Sequence, residues 1–431
     1  MTFTQLSFLS AFLPLFLLAG ILTRGKRISP NFHIASGLIF LLLWGVVPAA
    51  IFVGFIALNA LVMGLKGKTR VIWAVLLNLG FIALYKLLPF WGRESWSFHV
   101  PLGISYAALQ ALSFHINQEK GSVVQLAHYL LFLPKLPMGP ITAYQDFVNQ
   151  PQERAERLED LYQGLCRIIL GLSKKLLVAD RLALLTQTLK TAAPQDQGIA
   201  LAVLAALIFP LQLYLDFSGY TDIALGMART VGYRLPENFR QPFRAESLRD
   251  FWRRWHQSLT NWIGRYVYIP LGGSRRGTAR TAMNTVIVYV LIALWHGVSA
   301  GFLLWGLWNA LLILLERRQF IQPARWPKAL RRVYVYMSAV VGFAFFMMAG
   351  TGPAGFSAFT KLGTPALALA QLRPGVVLAV ALAVLIVLLE GRGLMQRLPK
   401  FARHTALLIL LALCLLATAG GSHLPFLYAA F

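Results

Sequence analysis

Apolar residues along this chain come in long runs, without the strict alternation of half-buried strands, and short clusters of Lys and Arg separate the runs. The first run, Leu6 to Leu22, has no basic residue before it and is followed by Arg24, Lys26 and Arg27. A secretory signal carries its charge on the opposite side, so the pattern predicts a retained span with its N-terminus outside the cytoplasm. Lys66, Lys68 and Arg70 form the next cluster. Keeping both clusters cytoplasmic requires two short crossings between His33 and Leu65, with Pro48 as the predicted break. Val71 to Leu88 then runs outward. From Pro101 to Leu136 the pattern is interrupted by Gly103, His115, Asn117, His128 and Pro134, which predicts broken or re-entrant helices. The same is expected from Phe209 to Gly232. Asp146 to Gln163, the most polar stretch, reads as a cytoplasmic connection ending in an amphipathic helix. The run Met283 to Leu315 has Arg275, Arg276 and Arg280 before it and Arg317 and Arg318 after it, so it must enter the membrane and return. Arg317 to Arg332 is then a cytoplasmic loop. The clusters Arg392 to Lys400 and Arg403 send a final span, Thr405 to Leu416, outward, which leaves Phe431 outside as well. No fixed-period repeat and no linker divides the chain, so one helical membrane domain over residues 1–431 is expected.

Composition strengthens that reading. Of 431 residues, 57% are hydrophobic and only 13% charged, with a mean hydropathy of +0.62, where soluble chains carry about a quarter charged residues. At ~20 apolar residues per crossing, there is room for roughly twelve crossings or partial crossings. The pattern excludes a soluble enzyme and predicts an all-α polytopic membrane protein. Forty basic against 16 acidic side chains give a formal charge of +24. In this setting the excess belongs to cytoplasmic loops and anionic lipid headgroups, and not to nucleic acid. Cys166 and Cys414 both lie inside apolar runs, read as buried thiols, and cannot build a metal cage; no metal site is expected.

Three places concentrate chemistry. Trp295-His296-Gly297 falls near the bend of the Met283–Leu315 hairpin, where an ionisable ring needs a polar cavity or a partner; a histidine bonded to a neighbouring carbonyl is the plainer alternative. Asp250 to Gly273 interleaves Trp252, Trp255, Trp262, Tyr266 and Tyr268 with Arg253, Arg254 and Arg265, and includes His256. This predicts a helix at the cytoplasmic interface that dips inward, or simply a surface anchor. Asp216 and Asp222 stand in the otherwise apolar Tyr214–Gly226 run, either ion-paired or lining a pathway. His33 and His404, near the ends of apolar segments, carry no such expectation. Gly297 to Gly301 matches G-x-S-x-G, but that elbow needs the strand-to-helix turn of a hydrolase sheet, so Ser299 is not read as a nucleophile. The sequence lacks a Walker A motif, HExxH and zinc-spaced Cys/His sets.

The segment FWRRWHQSLTNWIGRYVYIPLGG (251–273), followed after about twenty residues by ALWHG, resembles the membrane-bound O-acyltransferase (MBOAT) family. The branch it is most similar to is the membrane subunit of bacterial polysaccharide O-acetylation, as in alginate or cellulose. FLPLFLLAG, PLGISY, LPMGPI, GLCRIILGLSKKLLVAD, LYLDFSGYTDIALGMARTVGYRLPENFRQPF and LPFLYAAF extend the likeness over most of the chain. The resemblance implies a core of about eleven transmembrane helices, with re-entrant and interfacial helices around a central tunnel, in the bacterial cytoplasmic membrane. It implies His296 as the membrane-buried catalytic histidine and His256 as the second. Arg253, Arg254, Trp255, Asp216, Asp222 and Asn238 become candidates for binding substrate or donor. The donor implied is acetyl-CoA or another cytoplasmic acyl thioester, with no bound cofactor. The implied partners are membrane lipids and a periplasmic SGNH-hydrolase-like acyltransferase. D-alanyl transfer from a carrier protein and a proton-coupled transporter are the competing readings; a transporter would be expected to show internal repeats.

Overall fold

Runs this apolar must close their backbone hydrogen bonds internally wherever water is excluded, and among the described residues every regular element is helical. The computed structural model describes residues 2–88, 100–150, 157–191, 198–351, 370–421, 424, 426 and 427. After a short π-helical turn at Phe8–Phe12, the helices are α1 (Leu13–Thr23), α2 (Ser29–Trp44), α3 (Val46–Met63), α4 (Gly67–Leu87), α5 (Ile104–Ile116), α6 (Val123–Leu131), α7 (Tyr144–Val148), α8 (Arg157–Leu172) and α9 (Asp180–Thr191). They continue with α10 (Ile199–Thr230), α11 (Leu248–Arg254), α12 (Gln257–Ile263), α13 (Thr278–His296), α14 (Ala300–Arg317), α15 (Lys328–Thr351), α16 (Pro374–Leu389), α17 (Leu394–Arg397) and α18 (Lys400–Ala419). Among the described residues, seven helices are long and apolar enough to cross a bilayer: α3, α4, α10, α13, α14, α15 and α18. Three shorter apolar helices, Phe8–Thr23, α2 and α16, accompany them.

The chain divides into two compact units. The first comprises Met1–Leu172, Tyr220–Glu237 and Leu415–Ala430. Its interior carries polar side chains that the apolar pattern alone would not suggest, and each finds a partner. Arg70 Nε donates to His115 Nδ1 at 3.0 Å, and the other ring nitrogen of His115 meets Asn59 Oδ1 at 3.1 Å. Asn78 donates to the same Asn59 oxygen at 3.0 Å, so α3, α4 and α5 share one network. Lys135 is fully buried, bonded to Gln110 Oε1 at 2.6 Å and held over the Tyr129 ring. Asp160, on α8, receives Arg24 at 2.7 Å and Arg229 at 3.1 Å. Burial raises the Asp160 pKa, but the two guanidinium groups outweigh burial and hold the carboxyl below its ordinary range.

The second unit comprises Ser173–Gly219, Asn238–Cys414 and Phe431. Helices α13, α14 and α15 pack in sequence, and two glycines of α14 let them approach closely. A Cβ on Gly306 would sit 2.7 Å from the Tyr289 carbonyl oxygen of α13, and one on Gly301 would sit 2.5 Å from the Phe345 carbonyl oxygen of α15.

The hairpin predicted over Met283–Leu315 is present as α13 and α14, and the Pro101–Leu136 region is broken as expected, into α5, α6 and a 3-10 turn at Leu133–Lys135. Three expectations need correction. The break between α2 and α3 falls at Gly45, not Pro48. Proline lacks an N–H, and the third position of α3 has no intrahelical use for one, so Pro48 starts a helix instead of ending one. The stretch from Phe209 is not broken: α10 runs through Pro210 to Thr230. Its carboxylates are satisfied by ion pairs from side chains elsewhere, so the backbone has no need to unwind. Asp250–Gly273 is not one interfacial helix but α11, α12 and a π-helical turn at Gly264–Tyr268.

Candidate active site

The α13–α14 hairpin places His296 at the last position of α13, 5% exposed. Gly297 ends that helix, and the Ser299 hydroxyl then caps α14 by accepting the Phe302 N–H at 3.3 Å. The serine of the G-x-S-x-G match is thus a helix cap. The His296 ring is surrounded by aromatic rings, mostly edge-on: Trp295 at 4.9 Å, Phe346 at 5.0 Å, Trp305 at 5.5 Å and Phe302 at 5.9 Å between centroids.

Helix α11 is fixed at its N-terminal end. Ser247 caps it by accepting the Asp250 N–H at 3.1 Å, and the Glu316 carboxylate accepts the Leu248 N–H at 2.7 Å. Halfway along, the Trp252 indole N–H donates to Asn309 Oδ1 at 3.1 Å. The helix ends at Trp255, which is 1% exposed and stacks on Phe251 at 5.4 Å. The next residue, His256, turns the chain in the left-handed region, φ 45° and ψ 51°, before α12 begins. Its ring is buried edge-on to Phe217 at 4.8 Å, and its Nδ1 lies 3.1 Å from Asn238 Oδ1. Burial pushes the imidazole pKa down to about 3, so the ring is neutral at pH 7.

The two histidines border one aromatic layer. From Trp255, beside His256, the contacts pass to Phe343 at 5.0 Å, from Phe343 to Phe346 at 6.3 Å, and from Phe346 to His296. Arg253 and Arg254 differ in their surroundings: Arg253 is exposed, whereas Arg254 pairs with Asp250 at 2.9 Å. Asp216 pairs with buried Lys175 at 2.6 Å, and Lys175 also holds Asp180 at 2.8 Å. Asp222 lies in the first unit, where Arg167 binds it at 2.9 Å and Glu237 at 2.6 Å. The structure therefore brings His256, Asn238 and Trp255 together and gives Asp216 and Asp222 to separate ion pairs. Among the described residues no cluster of three or more His, Cys, Asp or Glu could hold a metal, and Cys414 is buried with its thiol 3.6 Å from the Ser173 hydroxyl.

Glu316 and Asn309 were not legible as site-supporting residues. Glu316 reads as one more charge beside Arg317 and Arg318, and its role depends on a helix start 68 residues away. The only sequence signal is a carboxylate in an otherwise basic cluster.

The model of the family described as MBOAT, membrane-bound O-acyltransferase, matches residues 31–357. The chain is 31% identical over 382 residues to the "Probable alginate O-acetylase AlgI" of Pseudomonas putida, covering 80% of this chain and 77% of that protein. It is 27% identical over 369 residues to the peptidoglycan O-acetyltransferase of Helicobacter pylori, covering 72% and 69%. A teichoic acid D-alanyltransferase of Bacillus subtilis is 26% identical over 328 residues, covering 64% and 82%.

Proposed function

Because the chain belongs to the membrane-bound O-acyltransferase family and is a membrane O-acyltransferase, we propose that it carries an acetyl group across the bacterial cytoplasmic membrane for O-acetylation of an extracytoplasmic polysaccharide. The donor is a cytoplasmic thioester, most simply acetyl-CoA, and the acceptor is a hydroxyl, on the sugar or on a periplasmic SGNH-hydrolase-like partner. Acetyl is preferred to D-alanyl because the alginate O-acetylase match is the stronger, 31% against 26% identity. Helices of the core, about eleven in this reading, would surround a tunnel joining donor and acceptor.

The observation that carries this reading is His296: a buried imidazole at the closed end of a hairpin whose two open ends are basic. An unactivated hydroxyl is a weak nucleophile at pH 7. His296 takes its proton as the oxygen attacks the thioester carbonyl; the C–S bond then breaks, and the proton returns to the departing thiolate. The aromatic cage fixes the ring and excludes competing water. Exposed Arg253, with Arg275 and Arg276, offers positive charge to the donor's phosphates.

Losing a general base typically costs about 10²–10⁴ in rate. His296→Ala and His296→Gln should therefore lose polysaccharide O-acylation while the protein inserts and keeps its thermal stability, and His404→Ala should stay active. Wild-type acylation by His296→Gln would make this residue a packing histidine and end the proton-transfer mechanism. Supplying purified protein with acetyl-CoA and with a D-alanyl-carrier thioester distinguishes the two acyl groups.

A further inference from the structure

The contacts around His256 assign a role to a residue outside the histidine pair. Asn238 Oδ1 accepts the Ser258 backbone N–H at 3.2 Å and the Ser258 hydroxyl at 2.7 Å. A backbone N–H can only donate, so the atom it meets is the amide oxygen and not the nitrogen. That same oxygen lies 3.1 Å from His256 Nδ1, which must therefore carry the hydrogen. In a neutral imidazole the other nitrogen, Nε2, is then the acceptor. Asn238 also accepts the Gln257 N–H on its backbone carbonyl at 2.9 Å. One fully buried residue thus clamps 256 and 258 through its side chain and 257 through its backbone, across a left-handed turn that a non-glycine residue adopts only when its surroundings enforce it.

We infer that Asn238 is a positioning residue that holds His256 as the Nδ1–H tautomer, so that His256 serves the reaction by accepting a hydrogen bond through Nε2 from an N–H or O–H of the acyl donor. This rests on the reading of His256 as a participant in acyl transfer, and it narrows that reading. A neutral ring with Nδ1–H committed to Asn238 has no proton on Nε2 with which to polarise the thioester carbonyl. It can orient the donor, and the thioester arm of coenzyme A carries amide N–H groups that suit an acceptor. Direct contact is the rival role for Asn238, because its Nδ2 has no hydrogen-bond partner among the described residues.

The test is a double-mutant cycle on the full-length protein with acetyl-CoA as the probe. His256→Ala and Asn238→Leu should each lower kcat/KM for acetyl-CoA by about ten- to hundredfold, mainly through KM. The double variant should be no worse than His256→Ala alone, because Asn238 acts only through that ring. A full further loss from Asn238→Leu in the His256→Ala background would show direct contact and overturn the assignment. Asn238→Asp keeps an oxygen facing Nδ1–H and should recover most of the activity. Its carboxylate favours the protonated ring, so the acid limb of the kcat/KM profile should move to higher pH. An unshifted limb, or no recovery, overturns the proposal, and this variant decides the matter if Asn238→Leu does not accumulate. Wild-type kinetics from His256→Ala would instead remove His256 from the reaction altogether, while leaving the His296 reading standing.

Discussion

Arg253 and Arg254 are neighbours in sequence but differ in their surroundings. Arg254 pairs with Asp250 one helical turn back, whereas Arg253 is exposed on α11. Arg253→Gln should therefore raise the KM for the thioester severalfold with little change in kcat, while Arg254→Gln should leave KM nearly unchanged. Steady-state kinetics on the two single variants would decide it; equal KM effects would mean that the charge acts only by anchoring the helix to headgroups. The buried position of His296 was legible because its evidence is written locally: an ionisable ring inside an apolar run with basic residues on both sides. The contacts of Asn238 were not legible, because they depend on partners 18 and 20 positions on. His33 was misjudged as an ordinary position: its Nδ1 lies 3.0 Å from His128 Nε2 inside a cage of aromatic rings. Replacing it removes half of a buried pair, which makes His404, at an exposed helix start, the sound control.

Between elements, α14 packs against its neighbours with little tolerance. Gly306 and Gly301 each face a carbonyl oxygen of a neighbouring helix, and backbone cannot step aside as a side chain can. Gly306→Val should push α13 away and with it His296, lowering stability by ~1–3 kcal/mol and reducing activity in the folded remainder. Thermal unfolding in detergent gives the first quantity and single-turnover acylation the second. Helix α8 is tied by charge. Asp160, with Arg24 and Arg229 against it, has a depressed folded pKa, whereas in the unfolded chain it titrates near ~3.9. Its ion-pair contribution is thus present in full above about pH 4 and disappears as acid takes the folded carboxylate through its lower pKa. Asp160→Asn should lower the unfolding temperature at pH 7, and the difference from wild type should shrink below pH 4. A constant difference across that range would mean that the aspartate contributes only shape. The pattern of charge along the chain anticipated the α13–α14 hairpin and a helix at the end of the polar stretch, where α8 begins, because both are single-run features. It misread α10, where polar residues seemed to demand a broken backbone and were satisfied instead by lysine and arginine from other helices.

For the molecule as a whole, the basic clusters predict the orientation. Lys66 to Arg70 and Lys328 should face the cytoplasm, and both termini the outside. In a cysteine-free background, a single cysteine at position 328 should resist an impermeant thiol reagent in intact cells and react after lysis; labelling without lysis would reverse the topology. The membrane-spanning helices also differ greatly in how much of their surface the protein itself covers. In the apolar window of α10, 72% is buried, but in that of α18 only 17%. The first is held by protein and the second chiefly by its solvent. Exchanging lipid for a short-chain detergent should therefore act on the two unequally. In a timed chymotrypsin digest, cleavage at exposed Phe401 should come early and release a C-terminal fragment, long before α10 is cut at Tyr214 or Phe217. The choice of detergent then sets the lifetime of the preparation, and native-lipid particles, by keeping α18 seated, should preserve an enzyme that harsh extraction progressively trims.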